Sequence, residues 1–264
     1  MQQSEFCRNK PDIFKNIFNE LLDIVFPPVC CFCSRIITSE HPVKGICRKC
    51  LPQIPFRTSD NLEMPCIDKI LHNHPMLNTP SNIKVLVACR YEDPLKKALL
   101  DFKFYEAAYY REFFGSMISY VFSEKIKTYD FIIPIPLHEI RKKERGFNQT
   151  ELIAAKISDI TGIPVLNDTL LRTGYTQRQS EMKNETDRVV NVSEAFSCIY
   201  PERLINKRLL ILDDVITSGS TMCYAANSII KSVNMHNKSN KENSCANNPS
   251  NVYITGIAAA SGRK

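Results

Sequence analysis

No run of 18 apolar residues occurs in the chain, so it lacks what a membrane-spanning helix requires. The most apolar early stretch, Leu21 to Phe32, is broken by Asp23, Pro27 and Pro28. A secretory leader is not expected either. Glu5, Arg8, Lys10 and Asp12 precede the first apolar stretch, and no small-residue cleavage site follows a continuous apolar run. The expectation is a cytoplasmic protein. No internal repeat of roughly 20–50 residues is visible, so a solenoid is not expected. A large charge excess is also missing. The 34 basic and 28 acidic residues leave +6, too little for a protein that coats DNA but compatible with a phosphate-bearing ligand or weak polyanion contact.

What is present is a chain of 264 residues, 44% of them hydrophobic. That is enough to bury the core of one α/β domain and carry a small accessory module. Charged residues make up 23%, inside the globular range. There are 11 cysteines. Their odd number, and four of them in two C-x-x-C pairs, argue for metal ligation rather than a disulfide framework.

Residues 12–25 repeat Ile13, Phe14, Ile17, Phe18, Leu21, Leu22 and Val25 at three- and four-residue steps, the pattern of an amphipathic helix stopped by Pro27 and Pro28. We divide the chain into this N-terminal helix (1–28), a cysteine-rich module (29–57), a proline-rich linker or cap (58–83) and a main domain (84–264). The main domain alternates strand and helix. Strands are expected at 84–91, 130–136, 165–166, 208–214 and 252–258. Helices are expected from Asp93 (N-cap) and Pro94, and at 107–125, 148–161 and 220–232. This alternation predicts an α/β fold with a mostly parallel sheet and flanking helices. Residues 233–251, rich in Asn, Ser and Lys, read as a flexible surface insertion.

The densest motif runs from Leu209 to Thr221. Leu209, Leu210, Ile211 and Leu212 form a buried strand, followed by Asp213 and Asp214. Neighbouring strand side chains face opposite ways, and a lone buried charge is costly. Both acids are therefore expected at the strand's carboxyl end, where the chain turns and where open α/β sheets take ligands. Thr217, Ser218, Gly219, Ser220 and Thr221 are small and hydroxyl-rich. Leading into a helix, they present N–H groups and hydroxyls to a phosphate. A phosphate cradle beside two diol acceptors suits a phosphorylated ribose. The competing reading is a strand whose acids cap a neighbouring helix.

A second motif joins Pro134-Ile135-Pro136-Leu137-His138 to Arg141 and then Arg145-Gly146-Phe147-Asn148-Gln149. Prolines end the ladder, and Arg141 and Arg145 share a face if the stretch is helical. Guanidinium forks suit phosphate. A merely solvated basic helix is the alternative. A third motif is Cys30-x-x-Cys33 with Cys47-x-x-Cys50, four thiolates at a spacing that closes a tetrahedral zinc site. Arg35, Lys44, Arg48, Lys49 and Arg57 against Glu40 make the segment positive, offsetting the charge of such a centre. Cys31 could compete with Cys30, and Cys66, His72 and His74 form a weaker candidate ligand set.

Residues 209–221 resemble the 5-phosphoribosyl-1-pyrophosphate signature of type I phosphoribosyltransferases. The P-x-P-L-H…R-x-x-x-R-G-F-N-Q pattern, and a zinc ribbon placed after Phe26-Pro27-Pro28, are similar to the ComF family of competence proteins. Tyr91-Glu92-Asp93-Pro94-Leu95 followed by Leu100–Phe104, and Gln179, Arg188, Asn191 and Phe196, extend the resemblance. It implies that Asp213 and Asp214 hold ribose hydroxyls, that residues 217–221 hold the 5′-phosphate, and that Lys103, Pro136, Arg141 and Arg145 belong to the pyrophosphate or ligand loop. Lys103 also reads as a surface lysine on an amphipathic helix. The resemblance further implies structural zinc, Mg²⁺ accompanying the activated sugar, and transfer of a pentosyl group to an unknown acceptor in a DNA-uptake setting. The alternative is a non-catalytic zinc-ribbon adaptor that binds single-stranded DNA or a DNA-uptake helicase.

Overall fold

The computed structural model describes residues 27–38, 41–58, 62–66, 83–104, 108–173, 195–241 and 252–262. The N-terminal helix expected at 12–25, most of the expected linker, and Gln179, Arg188 and Asn191 lie outside them.

The main sheet has five strands. In chain order they are β1 (Glu63–Cys66), β2 (Ile83–Arg90), β3 (Phe131–Pro134), β6 (Arg208–Ile216) and β7 (Tyr253–Ser261). The short strands β4 (Leu170–Arg172) and β5 (Phe196–Cys198) form a separate antiparallel hairpin. Across the main sheet the order is β1-β2-β7-β6-β3. Every pairing is parallel except that of β1 with β2. The helices are α1 (Leu95–Phe102), α2 (Ala108–Val121), α3 (Ser123–Ile126), α4 (Glu139–Arg145), α5 (Gln149–Thr161) and α6 (Ser220–Lys241). This is the mostly parallel, helix-flanked α/β architecture expected from the alternation.

Both faces of the sheet are covered. Leu210 and Leu212 pack with Leu86, Ile132, Phe113, Phe114 and Ile153 on one side. Leu209 and Ile211 pack with Val85, Ile133, Ala225 and Ile229 on the other. That two-sided burial is why β6 reads as an unbroken apolar run rather than an alternating one. Burying four such side chains stabilises the fold by on the order of 8 kcal/mol. Val165 adds a parallel bridge to Ile132. In α1, Leu95, Ala98, Leu99 and Phe102 are the buried positions, at helical spacing.

Several boundaries differ from expectation. Glu63–Cys66 is an antiparallel edge strand inside what the composition suggested was a linker. Pro94, not Asp93, occupies the N-cap of α1, without a side-chain cap bond. The helix expected at 107–125 is interrupted at Phe122. The last helix runs to Lys241 rather than ending at 232; Val233 is fully buried and prolongs the apolar face of Ile229 by one further turn. The rest of the expected insertion, 242–251, lies outside the described residues.

The cysteine-rich segment does not stand alone. Cys30, Val43, Ile46, Cys50 and Ile54 share one apolar cluster with Phe113, Phe114 and Met117. Phe32 meets Phe113 edge-on at 5.0 Å between centroids. Gly45 sits against α2 with φ +72°; a Cβ there would lie 2.8 Å from the Tyr109 carbonyl oxygen.

Candidate functional site

Strand β6 does not end at its acids. It continues to Ile216, pairing Asp213 with Ala258 and Val215 with Ala260 of β7. The strand was expected to end at Asp214, where the chain turns; it runs two residues further. The burial problem is solved differently. On its other side β6 loses its neighbour, because β3 pairs only as far as Pro134 with Leu212. From Asp213 onward no strand among the described residues pairs with that side, and both acids are only half-buried. The backbone fills the gap. The N–H of Asp214 donates to Asp213 Oδ1 at 2.9 Å, and that of Val215 to Asp214 Oδ1 at 2.7 Å.

The two carboxylates differ electrostatically. Burial, then the neighbouring charge of Asp214, pushes the Asp213 carboxyl up to about 8, against the N–H bond that favours its ionised form. Asp214 pairs with Lys103, Nζ to Oδ2 3.4 Å, with both side chains largely shielded. Lys103 follows α1, whose Phe102 meets Phe147 in a tilted ring contact at 6.0 Å between centroids. That contact brings the end of α1 to the corner between α4 and α5.

The corner explains most of the Arg145–Gln149 motif as architecture. Gly146 takes φ 79° as the C-cap of α4, a conformation glycine adopts without a Cβ penalty. Asn148 N-caps α5, accepting from the N–H of Thr150 at 3.2 Å. Asn148 Nδ2 and Thr150 Oγ1 both donate to the Ile135 carbonyl, at 3.2 and 2.7 Å, and so tie down the loop that holds half-buried Pro136. On α4, Arg141 and Arg145 are half-buried whereas Lys142, Lys143 and Glu144 are exposed. The expected shared face is present and turned inward. Arg145 Nη1 donates to Gln149 Oε1 at 3.4 Å; the buried Gln149 Nε2 has no hydrogen-bond partner among the described residues. Burial first, then the positive charge of Arg141, pulls Arg145 below the ordinary arginine value, and Asp214 opposes this.

Residues 217–221 form the turn from β6 into α6. Thr217 and Ser218 are exposed, and Ser220 and Thr221 half-buried. Gly219 is buried with φ 89°. The N–H of Ser220 donates to Ser218 Oγ at 3.3 Å, and the two serine hydroxyls lie 2.8 Å apart. A 22-residue helix therefore begins beside the two acids, with hydroxyls and N–H groups at its positive end. Arg172, at the end of β4, lies outside the recognised motifs. Its guanidinium carbon lies 5.4 Å from the centroid of Phe196, and it is electrostatically coupled to Arg141 and Asp213.

The four cysteines of the paired motifs come together. The sulfurs of Cys30, Cys33, Cys47 and Cys50 lie within 4.8 Å of one another, with Cys33 and Cys47 at 3.7 Å. Four thiolates at about 2.3 Å from one zinc ion stand about 3.8 Å apart, so the set fits a closed tetrahedral centre. Burial works against thiolate formation at Cys47, but the N–H groups of Cys50 and Lys49 and the thiols of Cys50 and Cys33 outweigh it and bring Cys47 down to about 6. Cys31 is outside the set. Burial, then the charge of Cys30, pushes its thiol up, and it is Cys30 whose sulfur joins those of Cys33, Cys47 and Cys50. The side chain of Cys66, with His72 and His74, lies outside the described residues. The eight cysteines whose side chains are described carry no disulfide.

These elements define an open α/β protein with two carboxylates on the carboxyl edge of its sheet, one of them paired with Lys103, and a four-thiol cluster packed on one flank. No protein-family model matches the chain. Among curated proteins it is 30% identical over 149 residues to "Competence protein F" of Haemophilus influenzae, covering 54% of this chain and 65% of that protein. It is 30% identical over 145 residues to "Competence protein ComFC" of Bacillus subtilis, covering 53% and 55%. It is 26% identical over 216 residues to "DNA utilization protein YhgH" of Salmonella typhimurium, covering 79% and 93%. The chain is a homologue of these ComF-family proteins; the matches span just under two thirds and just over half of the two competence proteins. Among solved structures, adenine phosphoribosyltransferase of Leishmania tarentolae aligns with a TM-score of 0.31 and 14% identity, over 62% of this chain and 74% of that one. So distant a likeness carries no argument about chemistry. No helix among the described residues is long and apolar enough to cross a membrane.

Proposed function

We propose that the carboxyl edge of the sheet binds 5-phosphoribosyl-1-pyrophosphate or a related phosphorylated ribose, and that the protein serves DNA uptake. One observation carries the reading. Asp213 and Asp214 stand on β6 just beyond the last β3 pairing, beside the N-terminal turn of a long helix. Hydroxyl acceptors, N–H donors and cations are thereby offered to one small ligand. The acids accept the ribose hydroxyls, residues 217–221 take the 5′-phosphate, and Lys103, Arg141 and Arg145 face the pyrophosphate across the Pro136 loop. Mg²⁺ bound to the ligand's own oxygens would neutralise the leaving group. The chain's residues orient the ribose and stabilise the charge that develops as the C1′–pyrophosphate bond lengthens. The uptake setting rests on the names of the homologues.

Calorimetry with 5-phosphoribosyl-1-pyrophosphate and Mg²⁺ tests the pocket. Wild type binds, and Asp213→Asn combined with Asp214→Asn does not; absence of binding by wild type refutes the proposal. Pyrophosphate release over a panel of bases then decides whether the bound sugar is transferred. A second reading, an adaptor that contacts single-stranded DNA or a helicase through the cysteine module, is favoured by exposed Arg48 and Lys49 lying between two candidate zinc ligands. It requires a salt-dependent DNA affinity that falls when both are neutralised.

A further inference from the structure

Lys103 stands in the seat that the hydroxyls of the proposed sugar would use. Its Nζ lies 3.4 Å from Asp214 Oδ2, and the two side chains are 25% and 17% exposed. The other oxygen of that carboxylate, Oδ1, accepts the N–H of Val215 at 2.7 Å. Both oxygens of Asp214 are thus engaged within the chain. A ribose hydroxyl that comes to Asp214 meets an ammonium group already at Oδ2.

This contact is firmly mounted and lightly closed. Lys103 is the C-cap of α1, and its N–H donates to the Leu100 carbonyl at 3.0 Å. Phe102, the residue before it, is buried and lies against Phe114 at 5.7 Å and Phe147 at 6.0 Å between ring centroids. The backbone at 103 is therefore held, and the flexible four-carbon stem is what can swing. At 3.4 Å the ion pair is longer than the roughly 2.7–2.9 Å of a charge-assisted hydrogen bond. It has Coulomb attraction without a short bond's geometry, so an anion of higher charge can draw the ammonium away.

We infer that Lys103 is a specificity residue that holds Asp214 Oδ2 against ribose hydroxyls and yields it only to a sugar carrying pyrophosphate. The inference rests on the proposed phosphoribosyl reading and adds to it an exchange of partners: the hydroxyls take Asp214 Oδ2, and the ammonium passes to the pyrophosphate. A pyrophosphate group supplies several negative charges in place of the one that Lys103 gives up. Ribose 5-phosphate carries its charge only at the end assigned to residues 217–221 and offers Lys103 nothing in return. One side chain thereby raises affinity for the activated sugar and lowers it for the unactivated one.

The test is calorimetry on the full chain at constant ionic strength, with 5-phosphoribosyl-1-pyrophosphate and, separately, ribose 5-phosphate, each with Mg²⁺. Lys103→Met keeps the stem and removes the charge. It weakens the pyrophosphate-bearing sugar about tenfold or more and tightens ribose 5-phosphate about threefold or more. Lys103→Arg puts a cation back beside Asp214 and returns both ligands toward wild type, which separates lost charge from a disturbed α1. The gain for ribose 5-phosphate disappears when Asp214→Asn is already present, because Lys103 then has no carboxylate to hold. Any other pairing of signs in Lys103→Met, loss of both ligands included, overturns the inference; so does a gain that persists in Asp214→Asn. In those cases binding of the activated sugar by wild type keeps the phosphoribosyl reading. If neither ligand binds wild type or Lys103→Met, that reading falls and the inference with it.

Discussion

Replacing Asp213 by Asn changes how stability depends on pH, and the structure gives the sign. The ordinary carboxyl value of 3.8 is raised to about 8 in the folded chain. A group whose folded value is raised supports the fold fully below the ordinary value and loses that support as pH climbs to the folded one. Between about pH 4 and 8 the wild type therefore sheds stability that Asp213→Asn, which has no proton to lose, does not. At about 1.4 kcal/mol per tenfold change in protonation equilibrium, the ceiling is on the order of 6 kcal/mol. Asp213 is half-buried on the open side of β6, where water and Lys103 relax the penalty, so the loss falls short of that ceiling. Asn retains the side-chain oxygen that accepts the Asp214 N–H, so the backbone contact is preserved. The chain has no tryptophan, which makes far-ultraviolet circular dichroism in urea the suitable readout. Subtracting the variant from the wild type at each pH cancels the other titrating groups. The stability difference, wild type minus variant, should decline from pH 5 and level off by about pH 8. A flat difference across that range refutes both the raised carboxyl and the asymmetry of the acid pair.

Other outcomes follow from separate parts of the molecule. Gly45→Ala combines a left-handed backbone with a 2.8 Å approach to the Tyr109 carbonyl and should cost at least about 2 kcal/mol in urea unfolding; a change below about 0.5 kcal/mol would contradict the packing of the cysteine module on α2. Metal analysis should find about one zinc per chain. Cys47→Ser should lose it while Cys31→Ser keeps it, and a strong chelator should lower the wild-type melting temperature, because Cys30 and Cys50 belong to the main core. Arg145→Gln should weaken 5-phosphoribosyl-1-pyrophosphate about tenfold or more, whereas Lys142→Ser with Lys143→Ser, on the exposed face of α4, should alter it less than about twofold. Equal effects would mean that the basic stretch acts only as a diffuse charge.

The parallel sheet was legible because its buried strands are contiguous apolar runs and its helices carry apolar stripes. Local sequence was least informative where tertiary neighbours decide. The segment Glu63–Cys66 contains Pro65 and reads as a breaker, yet proline is tolerated on an edge strand, and β1 is such an edge. Residues 233–241 look too polar for a helix; Val233 alone finds the core, and the preceding turns carry the rest along. At the site, the pairing of Asp213 with Asp214 was visible as a motif, but their position on a continuing strand was not. It depends on where β3 stops, which is a property of a different part of the chain.

Arg172 marks the sharper limit. Nothing beside it in sequence distinguishes it from a surface arginine on a short strand. What sets it apart is a ring 24 positions onward beneath it and the charges of Arg141 and Asp213, which the topology brings in from α4 and β6. A motif captures side chains whose spacing along one element is fixed by that element's geometry, as with Arg141 and Arg145 on α4 or the paired cysteines in their knuckles. It cannot capture a residue whose partners are assembled only when a hairpin folds over the end of a sheet. The same logic divides the expected losses. Altering Arg145 disturbs a corner that also holds Phe147, Asn148 and the Ile135 carbonyl, so loss of ligand and loss of stability should appear together there. Altering Arg172 removes a charge from above a ring whose residue is anchored independently through Ser228, so the hairpin should keep its fold when that charge is lost.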